Sequence, residues 1–200
     1  MEHYYSEKQS SVFLPKKIKV FARDKNFEFY TAAGVFSKDR LDKGSELLLN
    51  NCIIKENFKI LDLGCGYGVI GIVLKKIFPK TEVVMSDINE RTLALSRINA
   101  KLNNVDVEVI KSNIYDKITG TFDTIIVNPP QKAGKEICFA MIEKSKTYLK
   151  DKGLLQVVAL HNKGGRTFEK KMKETFGNVI KVAKKSGFTV YLSENKIKEK

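Results

Sequence analysis

The chain has 200 residues, 42% of them hydrophobic, enough for one well-buried α/β domain and short for two. Thirty-six Lys and Arg against 23 Asp and Glu leave a formal net charge of +13, which attracts a polyanion such as nucleic acid by neutralising its phosphates, or else marks a solvated lysine-rich surface. No apolar run reaches the roughly 18 residues of a membrane span, and the opening Met1-Glu2-His3-Tyr4-Tyr5 lacks the apolar core of a signal peptide. Three cysteines (Cys52, Cys65, Cys138) without a CxxC pair, and only His3 and His161 as imidazoles, argue against a protein-built metal site and for a reducing cytoplasm.

Residues 16–30 alternate apolar and polar (Ile18, Val20, Phe27, Phe29) around Asp24-Lys25-Asn26, the pattern of a β-hairpin. Residues 43–52 predict a helix with Leu47 and Leu48 on one face. Near-continuous apolar strands at 59–63, 83–86, 107–111, 122–127 and 154–160 then alternate with helices over 68–78, 90–103, 133–149 and 165–176. In the 90–103 helix Leu95, Ile98 and Leu102 are expected to share a face, with Asn89 as N-cap. Strands buried on both faces and separated by helices imply a parallel, doubly wound α/β sheet with helices on both faces. Segments 179–184 and 188–193 have only Ser186-Gly187 between them, so the sheet should end in an antiparallel pair. The expected organisation is a single domain over 1–200, with a hairpin extension (1–32) ahead of a core (33–200).

Ligands of open α/β sheets bind beyond the carboxyl ends of the strands. Four strands here end in residues suited to ligand binding, namely Asp62-Leu63-Gly64-Cys65-Gly66-Tyr67-Gly68, Asp87-Ile88, Asn113, and Asn128-Pro129-Pro130. Gly64, Gly66 and Gly68 allow a sharp turn and a close backbone approach to a ligand. The spacing is GxGxG rather than GxGxxG, with Val69 three residues after Gly66, and Asp62 adds negative charge that a pyrophosphate would resist. A cationic sulfonium cofactor tolerates that charge, so the loop points away from a nicotinamide dinucleotide. Asp87 is placed to accept from the two hydroxyls of an adenosine ribose, although an aspartate there also starts helices. Asn113 is either an adenine reader or a loop Asn bonded to its own backbone.

Asn128-Pro129-Pro130 is the most specific of the four. Two prolines cannot continue a central strand, which explains a turn but not the polar Asn ahead of them. An exocyclic amine conjugated to a ring is a poor nucleophile. The Asn128 side-chain carbonyl and the Pro129 backbone carbonyl can accept its N–H bonds, aim its lone pair and stabilise the charge that develops on nitrogen. Gln131, Lys132 and Lys135 follow directly and are candidates for holding the substrate and its flanking phosphates, with plain solvation as the alternative for the lysines.

These motifs resemble the class I S-adenosylmethionine-dependent amino-methyltransferases. The segment Gly34-Val35-Phe36-Ser37-Lys38-Asp39-Arg40-Leu41-Asp42-Lys43-Gly44 is further similar to one in the bacterial ribosomal RNA guanine-N2 methyltransferases, the C and G types of the small and large subunits. Ser112-Asn113, Gly120-Thr121-Phe122-Asp123 and Thr175-Phe176-Gly177 match as well, and the resemblance spans about residues 30–193. It implies a Rossmann-like sheet of seven strands, S-adenosylmethionine as donor, and the 2-amino group of a guanine in ribosomal RNA as acceptor, with transfer RNA as the next candidate. It also implies that Phe36 and Asp42 to Gly44 lie over the cofactor as a lid, unless Phe36 only anchors the N-terminal segment. That family usually places an aromatic residue after Asn-Pro-Pro to stack on the base, and Gln131 stands there instead, which moves the expected stacking to Phe36 or Tyr67. The bacterial enzymes carry an additional N-terminal domain, so RNA recognition is expected from the hairpin, surface lysines or a dimer. The tail Lys196-Ile197-Lys198-Glu199-Lys200 is expected to fray. Competing readings are methylation of an adenine 6-amino group or of a protein glutamine, both normally with an aromatic after the motif, a non-catalytic cofactor-binding RNA module, and a nicotinamide oxidoreductase.

Overall fold

The computed structural model describes residues 13–35, 37, 39–161 and 164–197; Phe36, the first 12 residues of the hairpin extension and the end of the basic tail (198–200) lie outside them. Among the described residues the hairpin pairs β1 (Lys16–Ala22) with β2 (Lys25–Thr31). The core runs through α1 (Lys43–Asn51), β3 (Lys59–Leu63), α2 (Val69–Ile77), β4 (Glu82–Asp87), α3 (Glu90–Leu102), β5 (Glu108–Lys111) and β6 (Phe122–Val127). A short 3-10 turn (Gln131–Ala133), α4 (Lys135–Tyr148), β7 (Leu149–Leu160), α5 (Gly165–Phe176), β8 (Ile180–Lys185) and β9 (Phe188–Glu194) complete it.

The seven core strands form one sheet in the order β5-β4-β3-β6-β7-β9-β8. The first five are parallel, while β9 is antiparallel to both of its neighbours. This is the expected Rossmann-like arrangement, with β9 inserted between β7 and β8. The strand order reverses between β3 and β6, which is where a ligand crevice opens in such sheets. Alternate residues of each strand feed opposite faces. Ile60, Met85, Ile126 and Val158 pack with the hairpin, α1, α2 and α3. Leu61, Val84, Ile125 and Val157 pack with α4 and α5.

Three expectations about individual elements need correction. The hairpin turns at Arg23-Asp24, both at positive φ, rather than at Asp24-Lys25-Asn26. Arg23 accepts the left-handed backbone because its side chain is anchored: Nε donates to the Leu49 carbonyl at 2.6 Å, Nη2 to the Cys52 carbonyl at 2.7 Å, and the guanidinium lies 5.3 Å from the Phe78 ring centre. In α3 the inward face is Thr92, Leu95, Ser96 and Asn99, while Ile98 is exposed. The polar members face inward because they bond neighbouring loops, a role invisible to a hydrophobic pattern. β7 begins at Leu149 rather than 154, with an irregular register against β6. Asn195 holds that early part through main-chain bonds to Lys152 and Gly153. Elsewhere Asn89 caps α3 by accepting from Arg91 and Thr92 amides, and Ser186-Gly187 makes the two-residue β8–β9 turn, both as expected.

Asn99 joins the hairpin to the core. Its Oδ1 accepts from the Tyr30 amide at 2.6 Å, and Nδ2 donates to the Tyr30 and Tyr67 carbonyls, both at 2.9 Å. The residue has no solvent exposure, so nothing replaces these bonds when it is removed. Asn99→Ala is therefore expected to cost about 3 kcal/mol, measured as a lower urea midpoint with an unchanged slope.

Candidate active site

A cleft of about 370 Å³ opens at the carboxyl edge of the sheet and is lined from all four strand ends singled out in the sequence: Gly64, Cys65 and Gly66 after β3, Asp87 and Ile88 after β4, Asn113 after β5, and Asn128, Pro129, Pro130, Gln131 and Lys132 after β6. Two members of the glycine motif are not among the lining residues. Asp62 lies beneath the loop, where Oδ2 accepts from the Gly71 amide at 2.9 Å. Gly68 starts α2 at φ 88°, and a Cβ there would stand 2.9 Å from Ile72 Cδ1. Lys135 begins α4, is exposed and is also outside the lining.

The loop hangs from strand and helix groups below it. The Gly64 and Cys65 amides both donate to the Ser86 carbonyl, and the Gly66 amide donates to Asp87 Oδ2 at 2.9 Å. Ser96 Oγ donates to the Gly66 carbonyl at 2.8 Å and Asn99 to that of Tyr67. Gly66, at φ 57°, has nothing within 4 Å of where a Cβ would stand, so its backbone faces open space. Asp87 is fixed from both sides, Oδ1 accepting from the Asn89 amide at 2.9 Å. Burial raises its pKa, against the lowering effect of these amide bonds.

Asn113 sits at the cleft, its Nδ2 donating to Asp116 Oδ2 at 3.4 Å. The neighbouring Ser112, the other member of the Ser112-Asn113 match, fixes this turn through bonds to the Ile114 carbonyl and the Lys117 amide.

At the other end of the cleft Asn128 is held by residues far away in sequence. Its Nδ2 donates to Ser45 Oγ at 2.9 Å and to Asp42 Oδ1 at 3.4 Å, leaving Oδ1 as the end offered to the cleft. The same Asp42 oxygen caps α1 by accepting from the Gly44 and Ser45 amides. The Asp42 to Gly44 stretch is thus the first turn of a helix rather than a loose flap. Pro130 adopts φ −74°, ψ 79°, an inverse γ-turn in which the Gln131 amide donates to the Pro129 carbonyl at 2.8 Å. That carbonyl retains one lone pair for a second donor. Gln131 Oε1 in turn accepts from the Leu160 amide at 3.1 Å, tying the motif to the end of β7. Ser45, Ile70, Met141, Leu160 and Phe188 also line the cleft and were not singled out in the sequence. They come from α1, α2, α4, β7 and β9, where no motif marks them. Tyr67 is 2% exposed, its ring edge-on to Phe29 at 5.8 Å.

Among the described residues, no group of three or more His, Cys, Asp or Glu is arranged to hold a metal ion, and no helix is long and apolar enough to cross a membrane. The cleft instead combines two carboxylates, Asp42 and Asp87, with apolar walls and a glycine loop. That arrangement favours a ligand bearing positive charge, hydroxyls and an aromatic ring.

The fold and this edge site are those expected of a methyltransferase domain. The methyltransferase small domain family matches residues 26–192, and the chain belongs to that family. It is 38% identical to a Bacillus subtilis (strain 168) protein described as uncharacterized protein YbxB, covering 94% of this chain and 96% of that one. It is 37% identical to the ribosomal RNA small subunit methyltransferase C of Serratia proteamaculans over 83% of this chain and 48% of the relative, so it spans about half the length of that enzyme. The fold also matches the 16S rRNA N2 methyltransferase RsmC of T. thermophilus, solved with AdoMet and guanosine, at a TM-score of 0.81 and 22% identity, over 92% of this chain and 51% of that one.

Asp62 makes the site sensitive to pH. Its side chain is fully buried, and burial pushes its pKa up to about 7 from an ordinary value of 3.8, against the Gly71 amide and with a further upward push from Asp87. Between those values the unfolded chain has lost a proton that the folded chain keeps, so stability falls as pH rises through this window and levels off above it. Relative to Asp62→Asn, wild type is expected to lose roughly 2–4 kcal/mol between about pH 4 and pH 7, read from urea unfolding at several pH values. A difference that does not vary with pH would mean that Asp62 is ionised throughout.

Proposed function

We propose that this chain is an S-adenosylmethionine-dependent methyltransferase whose acceptor is the 2-amino group of a guanine in RNA, ribosomal RNA first. The observation that carries the reading is the Asn128 carboxamide, fixed by Ser45 and Asp42 with its oxygen left for a donor, in the same cleft as the glycine loop and Asp87. The net charge of +13 supports a polyanionic partner, and the relatives named for ribosomal RNA methylation support the acceptor. We further propose that the described hairpin and the core act as one catalytic unit, because their apolar faces merge in one cluster, and that the enzyme works in the cytoplasm.

In this reading Asp87 takes the ribose hydroxyls of the donor, while Gly64, Cys65 and Gly66 let its amino-acid portion approach the backbone. Ile88 and the Asn113 backbone flank the adenine. Asp62 supports α2 from beneath the loop through the Gly71 amide, with Gly68 setting the start of that helix. When bound, the donor supplies a methyl group on a cationic sulfur, whose C–S bond breaks as the N–C bond forms. Asn128 Oδ1 and the free lone pair of the Pro129 carbonyl accept from the two amine hydrogens and hold the nitrogen in line. Pro130 shapes that turn. As nitrogen becomes positive these oxygens stabilise it, and one proton leaves to solvent. Gln131 keeps the motif at the end of β7, and Lys132 and Lys135 meet phosphates beside the target.

The test uses S-adenosylmethionine with a labelled methyl group and unmodified ribosomal and transfer RNA, digested to nucleosides. Label in 2-methylguanosine is expected; label in no nucleoside, with donor binding intact, would refute the acceptor. Asp87→Ala should weaken donor affinity by about 1.5–3 kcal/mol in calorimetry, and unchanged affinity would remove it from the site. Asn128→Ala should cut turnover by about a hundredfold or more while donor affinity stays within twofold; normal turnover would refute the mechanism.

A further inference from the structure

A base drawn out of its stack needs an aromatic surface to replace its lost neighbours. The residue after Asn-Pro-Pro does not provide one here. Gln131 is committed to the Leu160 amide, and its Nε2 lies 3.2 Å from where a Cβ on Gly164 would stand. Tyr67, within the glycine loop, is only 2% exposed, and its ring lies against Phe29. Among the described residues lining the cleft, the remaining aromatic is Phe188, at the start of β9 and only half-buried.

Its surroundings suit a platform. Phe188 pairs with Leu160 across β7 and with Lys185 across the β8–β9 turn, so its backbone is held on both sides. Its ring rests on Gly44: a Cβ there would stand 3.0 and 3.1 Å from two ring carbons. Gly44 lies between Asp42 and Ser45, the two residues that bond Asn128. One helical turn therefore carries both the ring and the support of the amide that receives the amine. A side chain at residue 44 would drive the ring from this position.

We infer that Phe188 is the surface on which the target base stacks, taking the place of an aromatic at position 131. The inference rests on the RNA-base reading above and adds to it the residue that sets how the base lies.

The experiment compares wild type, Phe188→Leu and Phe188→Tyr in the labelled-methyl assay on unmodified ribosomal RNA, alongside thermal melts and calorimetric titration with S-adenosylmethionine. Phe188→Leu keeps an apolar side chain without a ring face and should raise the KM for RNA about ten- to a hundredfold, with donor affinity within twofold. Phe188→Tyr restores the ring face and should return KM to within about threefold of wild type. Equal KM for Phe188→Leu and wild type would overturn the inference alone. So would a parallel loss of donor affinity, which would make the ring part of the donor pocket. Absence of RNA methylation by wild type would instead sink the functional reading and this inference with it.

Discussion

A loop that must present its backbone to a ligand cannot also be covered, so it has to be held from beneath. The Gly64–Gly68 turn meets this constraint with bonds from β4, α3 and the Asp87 side chain. Much of the neighbouring structure follows from it. Ser96 and Asn99 face inward on α3, Asp62 is buried without a cation, and Gly71 lacks a side chain because a Cβ would stand 2.6 Å from Met85 Sδ. Each would be a liability in an ordinary core, where buried polar groups cost free energy unless paired. Here Ser96 and Asn99 pair with the loop itself, and Asp62 pairs with the first turn of α2 that follows it.

The far wall of the cleft follows a different plan. Asn128 is anchored on the first turn of α1, and that turn is also the bed of Phe188. Asp42 serves as helix cap and as partner of the Asn128 amide with one oxygen, so starting the helix and aligning the carboxamide are a single act. The glycine-loop end of the cleft is thus built by strand-to-helix turns within the sheet. The Asn128 end depends on α1 and the last two strands being brought against it.

That division decides what could be read from the sequence. The sheet was legible because parallel strands buried on both faces are apolar runs, and the edge residues were legible because each follows such a run. Asn89 and Ser186-Gly187 carry local chemistry and were placed correctly. Ile98 misled because an apolar side chain fits the helical period while Ser96 and Asn99 take the inward face. The hairpin turn slipped by one residue because Arg23 tolerates positive φ only through contacts with α1 and Phe78. Ser45 lies 83 residues from Asn128, and Leu160 lies 29 from Gln131, so no spacing rule could join them. Gln131 was legible as a departure; its tether to β7 was not.

Asn99 has a consequence for motion. One carboxamide with no solvent exposure closes the bond to the Tyr30 amide, the Tyr30 carbonyl and the Tyr67 carbonyl together. Lifting the hairpin from α3 removes two of the three bonds that orient the carboxamide holding the Tyr67 carbonyl. The amides of hairpin and loop should exchange with solvent deuterium as one cooperative unit. A polyanion gripping the lysine face of β1 would then slow exchange within a loop it never touches.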